Sequence, residues 1–309
     1  MAGYFGLGLV LLGLGIGQYW LQVRPVPSPP QITMAADIYP VGEGWILHRR
    51  VSEPRATVVV MHGLLENPLY FTRYYEDPEL ELIMIGATGY QLPVTSADRP
   101  EAPWDLPPAG TPGTIAADAQ LLNLALEHLP GTRNVRVHGH SRGGAVILQA
   151  ASERPDLFSQ VEVILEAPVL PQGQPYRPSS AISRLLLPSL HLLWQRRPDM
   201  LLEQPIWGPL DDPDKRELIR AMPFNPRSSA LLLTNVRDLL GWMDSSSTEI
   251  YRHVQRGAIL VPGRDRVLNS AAMLDSAHQA ENLQIVEVPE GSHFVLLDNP
   301  ESIPPLRNP

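Results

Sequence analysis

Not one of the 309 residues is a cysteine. That absence excludes disulfides, thiolate metal ligands and a cysteine nucleophile, and it leaves the compartment open. No run of Lys and Arg occurs, and the net charge of −9 argues against non-specific binding to nucleic acid. Also missing are a Walker-type phosphate loop, an HExxH zinc motif and a dinucleotide fingerprint. The sequence therefore implies no metal and no organic cofactor. A charged fraction of 18% beside a hydrophobic fraction of 44% suits a folded body and not a disordered one. Proline is plentiful, with 33 residues, which points to many turns and rigid loops.

Charge is absent from Ala2 to Leu21 (AGYFGLGLVLLGLGIGQYWL). About 20 mostly apolar residues are needed for a helix to cross a bilayer, and Tyr19 and Trp20 stand where an interfacial aromatic belt would lie. A cleaved signal peptide fits less well, since no basic residue precedes the apolar run. A core helix would carry the propensity cost of six glycines. The expectation is a single-pass anchor over residues 1–23, with the side of the membrane that holds the rest left open. Gly13 and Gly17 form a GxxxG pair through which two such helices could pair as a homodimer. Residues 24–31 (RPVPSPPQ) read as a stiff linker, and a folded domain is expected over 32–309.

Within that domain, Ile32–Ile38 and Gly44–Val51 read as strands around a turn at Pro40–Gly44. The short apolar runs at Ala56–His62, with three consecutive valines, and at Leu80–Ile85 read as strands buried on both faces. Thr114–Leu129 has helical spacing and stops at Pro130-Gly131. Asn134–His138 and Val161–Leu165 are further strands, with a helix near Ala145–Ser152 between them. Gly257–Val261 and Leu283–Val288 complete the set. Such alternation predicts an α/β fold with a mostly parallel sheet and helices on both faces. Residues 171–256, with helical pieces at Ala181–Arg196 and Ser228–Trp242, read as a helical cap inserted between strands.

Gly139-His140-Ser141-Arg142-Gly143 is a G-x-S-x-G motif placed between a strand and a helix. In that context the serine sits on a sharp turn that lifts its hydroxyl above the sheet, and small flanking residues relieve the crowding. GHSRGG resembles the nucleophile elbow of the α/β-hydrolases. MHGLLEN, after the valine strand, resembles their His-Gly oxyanion loop. The resemblance implies an eight-stranded, mostly parallel sheet and a catalytic order of Ser, acid and His. Ser141 is then the nucleophile. His293, in a loop after the last strand, is its base. Asp265, in a Gly-Arg-Asp loop similar to the family's acid loop, orients that base. Glu166, at the end of the strand before the cap, is the second candidate for the acid. The backbone amides of Leu64 and Arg142 would form the oxyanion hole, with side-chain identity there of little weight. His140 is expected to pack beneath the elbow and His62 to brace its own loop. One departure is that the D-x-x-G-x-G turn common in the family is here Ile85-Gly86-Ala87-Thr88-Gly89-Tyr90, without the acid.

The expected activity is cleavage of a carboxylic ester, extending to lipid esters, through an acyl-enzyme. Acyl transfer and amide or peptide hydrolysis use the same triad. A binding protein on the same fold would be expected to show a broken triad. The expected partners are an ester or lipid substrate and a membrane.

Overall fold

The protein is described here by a computed structural model, which covers residues 2–24, 31–66, 68–95, 98–105, 110–178 and 180–307. Most of the linker expected at 24–31 lies outside these residues. An N-terminal helix α1 (Ala2–Val23) precedes strands β1 (Ile32–Thr33), β2 (Asp37–Val41), β3 (Gly44–Arg49), β4 (Ala56–Met61), β5 (Leu80–Gly86) and β6 (Val94–Thr95). Helix α2 (Ile115–His128), β7 (Val135–His140), α3 (Arg142–Glu153), α4 (Pro155–Phe158) and β8 (Glu162–Glu166) follow. Between β8 and the next strand lie α5 (Ala181–Leu185), α6 (Leu187–Arg196), α7 (Asp199–Leu202), α8 (Pro213–Arg220) and α9 (Ser229–Ser245). Then come β9 (Gly257–Pro262), α10 (Ser270–Ala277), β10 (Gln284–Val288) and α11 (Val295–Asp298).

Eight strands form one sheet in the order β10-β9-β8-β7-β4-β5-β3-β2. Only β3 runs against the rest: it is antiparallel to both β5 and β2, and every other pairing in the sheet is parallel. The mostly parallel eight-stranded architecture expected from the sequence is thus present. Alternate residues of the central strands feed the two apolar layers. On β4, Val59 and Met61 pack toward α2 and α3, whereas Ala56, Val58 and Val60 pack toward the opposite face. Burying one such valine contributes about 1.5–3 kcal/mol, which is why a continuous apolar run serves a central strand. Chain order reverses between the neighbours β4 and β7, and the carboxyl ends of strands at such a point form a natural crevice.

Three local expectations need correction. The strand expected over Ile32–Ile38 is two strands, β1 paired with β6 in a separate two-stranded sheet, and β2 in the main sheet. Pro40 lies inside β2 and not in the turn; it is tolerated because β2 is an edge strand, where a missing N–H leaves no ladder bond unmade. The helix expected over Ala181–Arg196 is broken at Leu186, two residues before Pro188, whose ring obstructs the preceding turn.

The N-terminal expectation changes most. Ala2–Val23 is helical, but among the described residues no helix is long and apolar enough to cross a membrane. The spanning anchor is therefore not supported. Six glycines and the polar Gln18 dilute the apolar content of this helix. Gln18 turns inward and is buried, donating to Ser189 Oγ at 2.7 Å and accepting from the Ser189 amide at 3.2 Å. The end of α1 is thereby attached to α6. Leu9, Val10, Leu11, Leu12, Ile16, Tyr19 and Trp20 remain more than half exposed.

Candidate active site

β7 runs straight into α3 with a single residue, Ser141, between them. That residue adopts φ 52° and ψ −119°, a left-handed conformation that serine rarely takes. Three backbone bonds hold it there. Ser141 N–H donates to the Glu166 carbonyl at 2.9 Å, while its own carbonyl accepts from Gly144 at 3.0 Å and from Val169 at 2.9 Å. Crowding explains the glycines of the motif. A Cβ on Gly143 would lie 2.2 Å from the Met61 carbonyl oxygen, and one on Gly139 would lie 2.4 Å from Ile147 Cδ1. Strain of this kind persists where the surrounding structure over-determines it, and it gathers at functional sites. Leu65 (φ 61°) and Ala167 (φ 41°) are strained beside the same turn.

His293 and Asp265 are brought together from the loops after β10 and β9. Asp265 Oδ2 lies 2.7 Å from His293 Nδ1, and its Oδ1 accepts from the amides of Val267 at 2.7 Å and Leu268 at 2.9 Å. Burial works to raise the Asp265 pKa; the facing His293 ring and those two amides outweigh it, so the carboxyl is held below its ordinary range. A carboxylate opposite Nδ1 makes that nitrogen the donor, which leaves Nε2 as the acceptor of the neutral ring. Arg264 pairs with Glu290 and not with Asp265. No hydrogen bond joins Ser141 Oγ to His293 among the described residues. His140, the residue before Ser141, has its ring centroid 4.8 Å from that of His293.

Glu166, the second candidate for the acid, is not bonded to His293. It is wholly buried and accepts from Tyr70 Oη at 2.5 Å, His138 Nε2 at 3.1 Å and the Leu296 amide at 2.7 Å. Through the Leu296 amide it braces the start of α11.

The loop after β4 lies against the elbow. A Cβ on Gly63 would come within 2.9 Å of Ser141 Cβ. His62 accepts from the Ala87 amide through Nε2 at 3.2 Å, so its Nδ1–H donates to the Gly63 carbonyl at 2.8 Å. Burial lowers its pKa, consistent with a neutral ring that braces this loop. The Leu65 amide is taken by Tyr90 Oη at 3.1 Å. Those of Leu64 and Arg142 have no acceptor among the described residues, and Arg142 opens α3, where amides lack a partner in their own helix. Beside this loop is a cavity of about 390 Å³ lined by Leu65, Tyr90, Arg227, Leu231, Leu232 and Asn235.

Several buried partners were not foreseen. The Arg142 side chain, expected to matter little, is 1% exposed and pairs with Asp118 of α2 at 2.6 Å. Asp118 also accepts from Thr88 N at 2.8 Å and Thr88 Oγ1 at 3.0 Å. A signal was present, because Asp118 stands between Ile115 and Leu122 on the buried face of α2. Lys215 of α8 is buried too, donating to Asp298 Oδ1 and to the Trp207 carbonyl, each at 2.5 Å. Asp298 in turn accepts from Ser292 Oγ, so the segment between β8 and β9 is fastened to the loop that carries His293. Among the described residues no group of three or more His, Asp or Glu could hold a metal ion.

A model of the alpha/beta hydrolase family matches residues 33–303. No curated protein matches the sequence. Among solved structures, an esterase from Exiguobacterium antarcticum is similar, with a TM-score of 0.62 and 16% identity over 86% of this chain and 95% of that one. A thermophilic esterase from Thermogutta terrifontis has a TM-score of 0.57 and 18% identity, covering 90% of this chain and 94% of its own. A deformylase from Pseudomonas putida S16 has a TM-score of 0.60 and 16% identity, covering 86% and 97%. At these identities the likeness bears on the fold.

Proposed function

The chain belongs to the alpha/beta hydrolase family, and we propose that it is a serine hydrolase cleaving carboxylic esters through an acyl-enzyme. In this reading Ser141 Oγ attacks the ester carbonyl carbon while His293 Nε2 takes its proton. Asp265 holds the ring in the tautomer that makes Nε2 the base and stabilises the imidazolium that forms. The amides of Leu64 and Arg142 receive the developing oxyanion. Collapse expels the alcohol, which takes the proton from His293, and water then repeats the sequence to release the acid.

The observation that supports the reading is the strained Ser141 turn between β7 and α3, together with a His–Asp pair already at 2.7 Å. The open Ser141–His293 contact is compatible with it, since catalytic hydrogen bonds often tighten only with substrate in place. The cavity beside Leu65 has both apolar walls (Leu231, Leu232) and polar ones (Arg227, Asn235), which suits a substrate with an apolar chain and a polar end. The exposed apolar side chains of α1 favour work near a lipid surface, because so contiguous an apolar face seldom meets water. A lipid ester is accordingly the substrate class we favour.

A panel of esters graded by acyl length, with an anilide and an alcohol acceptor included, tests the assignment. Ester hydrolysis that falls by about 10⁴-fold or more in Ser141→Ala is expected. Faster turnover of the anilide, or transfer to the alcohol in preference to water, would redirect the reading to amide hydrolysis or acyl transfer.

A further inference from the structure

Two loops that carry different parts of the site converge on one buried ring. His140, the last residue of β7, has no solvent exposure. Its Nε2 lies 2.8 Å from the main-chain oxygen of His293, and its Nδ1 lies 2.8 Å from Glu66 Oε2. The same Glu66 oxygen accepts from the Gly63 amide at 2.9 Å. Tyr70 stacks on the ring at 4.7 Å and 23°, and Phe294 closes it at 5.4 Å.

Both neighbours of the ring are acceptors, one a carboxylate and the other a carbonyl. A neutral imidazole carries a single N–H and can serve only one of them, so both bonds require the imidazolium. We propose that Glu66 and His140 form a charged positioning pair, in which the His140 imidazolium fixes the main chain of His293 and, through Glu66, the oxyanion loop at Gly63. The inference rests on the Ser141–His293–Asp265 reading above. One proton then keeps the base and the oxyanion loop in register on opposite sides of Ser141.

The surroundings favour that proton. Burial disfavours the charged ring, but the carboxylates of Glu66 and Glu166 outweigh it, and the His140 pKa is raised to about 9. The other titratable groups facing it are Tyr70 from the turn after β4, His138 on its own strand, and His293 backed by Asp265. Burial lowers the His138 pKa, so this neighbour adds no second cation at neutral pH. The stabilisation is complete below the ordinary histidine range near ~6.5 and is lost as pH rises through about 9. Above that point an unprotonated nitrogen would face an acceptor, and one tie must open.

The kcat of the full-length enzyme for a water-soluble ester, measured from pH 6 to beyond 10, should therefore show an alkaline limb near pH 9. Beyond it, kcat should drop by about tenfold per pH unit. Glu66→Gln is the diagnostic variant. One Glu66 oxygen serves both His140 Nδ1 and the Gly63 amide, and glutamine removes the carboxylate charge that holds the proton on the ring, so His140 should be neutral and the limb near pH 9 should vanish or move to lower pH, whatever the plateau rate. His140→Phe should lower kcat by up to about 100-fold, with KM changed much less. Nitrogen-15 shifts of labelled histidine should show one imidazolium persisting at pH 8 in the wild type and absent from Glu66→Gln. An alkaline limb that is missing in the wild type, or unmoved in Glu66→Gln, overturns the proposal, as does a neutral ring in the wild type at pH 8. Fluorophosphonate labelling of wild-type Ser141 separates the two levels: labelled serine with an unmoved limb sinks the pair alone, whereas unlabelled serine sinks the triad and the pair together.

Discussion

Removing the carboxylate of Asp118 should be among the most damaging changes that touch no reacting atom. Asp118 is fully buried and faces an Arg142 guanidinium that is 1% exposed. In Asp118→Ala that guanidinium keeps a single long contact, Nη2 to the Gly113 carbonyl at 3.4 Å, and its Nε already lacks a partner. Thr88 would lose the acceptor for both its amide and its hydroxyl. Stranding one charge of a buried pair costs about 3–5 kcal/mol, a large share of the roughly 5–15 kcal/mol that holds a domain folded. At about 2–4 °C per kcal/mol for a domain of this order of size, the melting temperature should fall by about 6–20 °C. Urea unfolding followed by tryptophan fluorescence measures the loss directly. The companion variant, Asp118→Leu with Arg142→Met, removes both charges and should recover most of it, because apolar replacement of a buried pair is often neutral or stabilising. A loss below about 1 kcal/mol in Asp118→Ala, or a double variant no more stable than the single, would refute the argument that this pair is held by mutual compensation.

Two further outcomes follow from the same geometry. Asp265→Asn should lower kcat by about 10⁴-fold, whereas Glu166→Gln should act mainly on stability through Tyr70, His138 and Leu296; the reverse result in ester assays would move the acid to Glu166. Deleting residues 1–31 should release the protein from sedimenting phosphatidylcholine vesicles without slowing hydrolysis of a water-soluble ester; retention on vesicles after the deletion would place lipid contact elsewhere than α1.

The parts of the fold that were legible in the sequence are those where one local pattern dictates one structure. Three consecutive β-branched valines in a short apolar run suit a strand covered on both faces, and β4 is that strand. Gly139, Ser141 and Gly143 signal a turn so tight that a Cβ at 143 would strike the Met61 carbonyl. Boundaries were harder where tertiary position overrides propensity. Pro40 reads as a turn residue, yet an edge strand admits it. Apolar content alone was also a poor guide to α1, because nothing in the local text says that Gln18 would reach Ser189, 171 residues away. The buried polar pairs share that difficulty. Glu66 and His140 are 74 residues apart, and Lys215 and Asp298 are 83 apart. Glu66, Lys215 and Asp298 read as ordinary surface residues until the fold supplies their partners, and His140, although expected beneath the elbow, gave no sign of which carboxylate it would meet. Asp118 is the exception, since its place on the apolar face of α2 marks it as paired.

If Ser141 is an activated nucleophile, a reagent that captures such serines covalently should find it. Purified full-length protein would be treated with a fluorophosphonate, digested, and mapped by mass spectrometry. A single stoichiometric adduct on Ser141 is expected. Labelling should be slowed steeply in His293→Ala, because the hydroxyl depends on its base, and should be absent in Ser141→Ala. An unmodified Ser141 in folded protein that still hydrolyses esters, or an adduct that persists in Ser141→Ala, would contradict it.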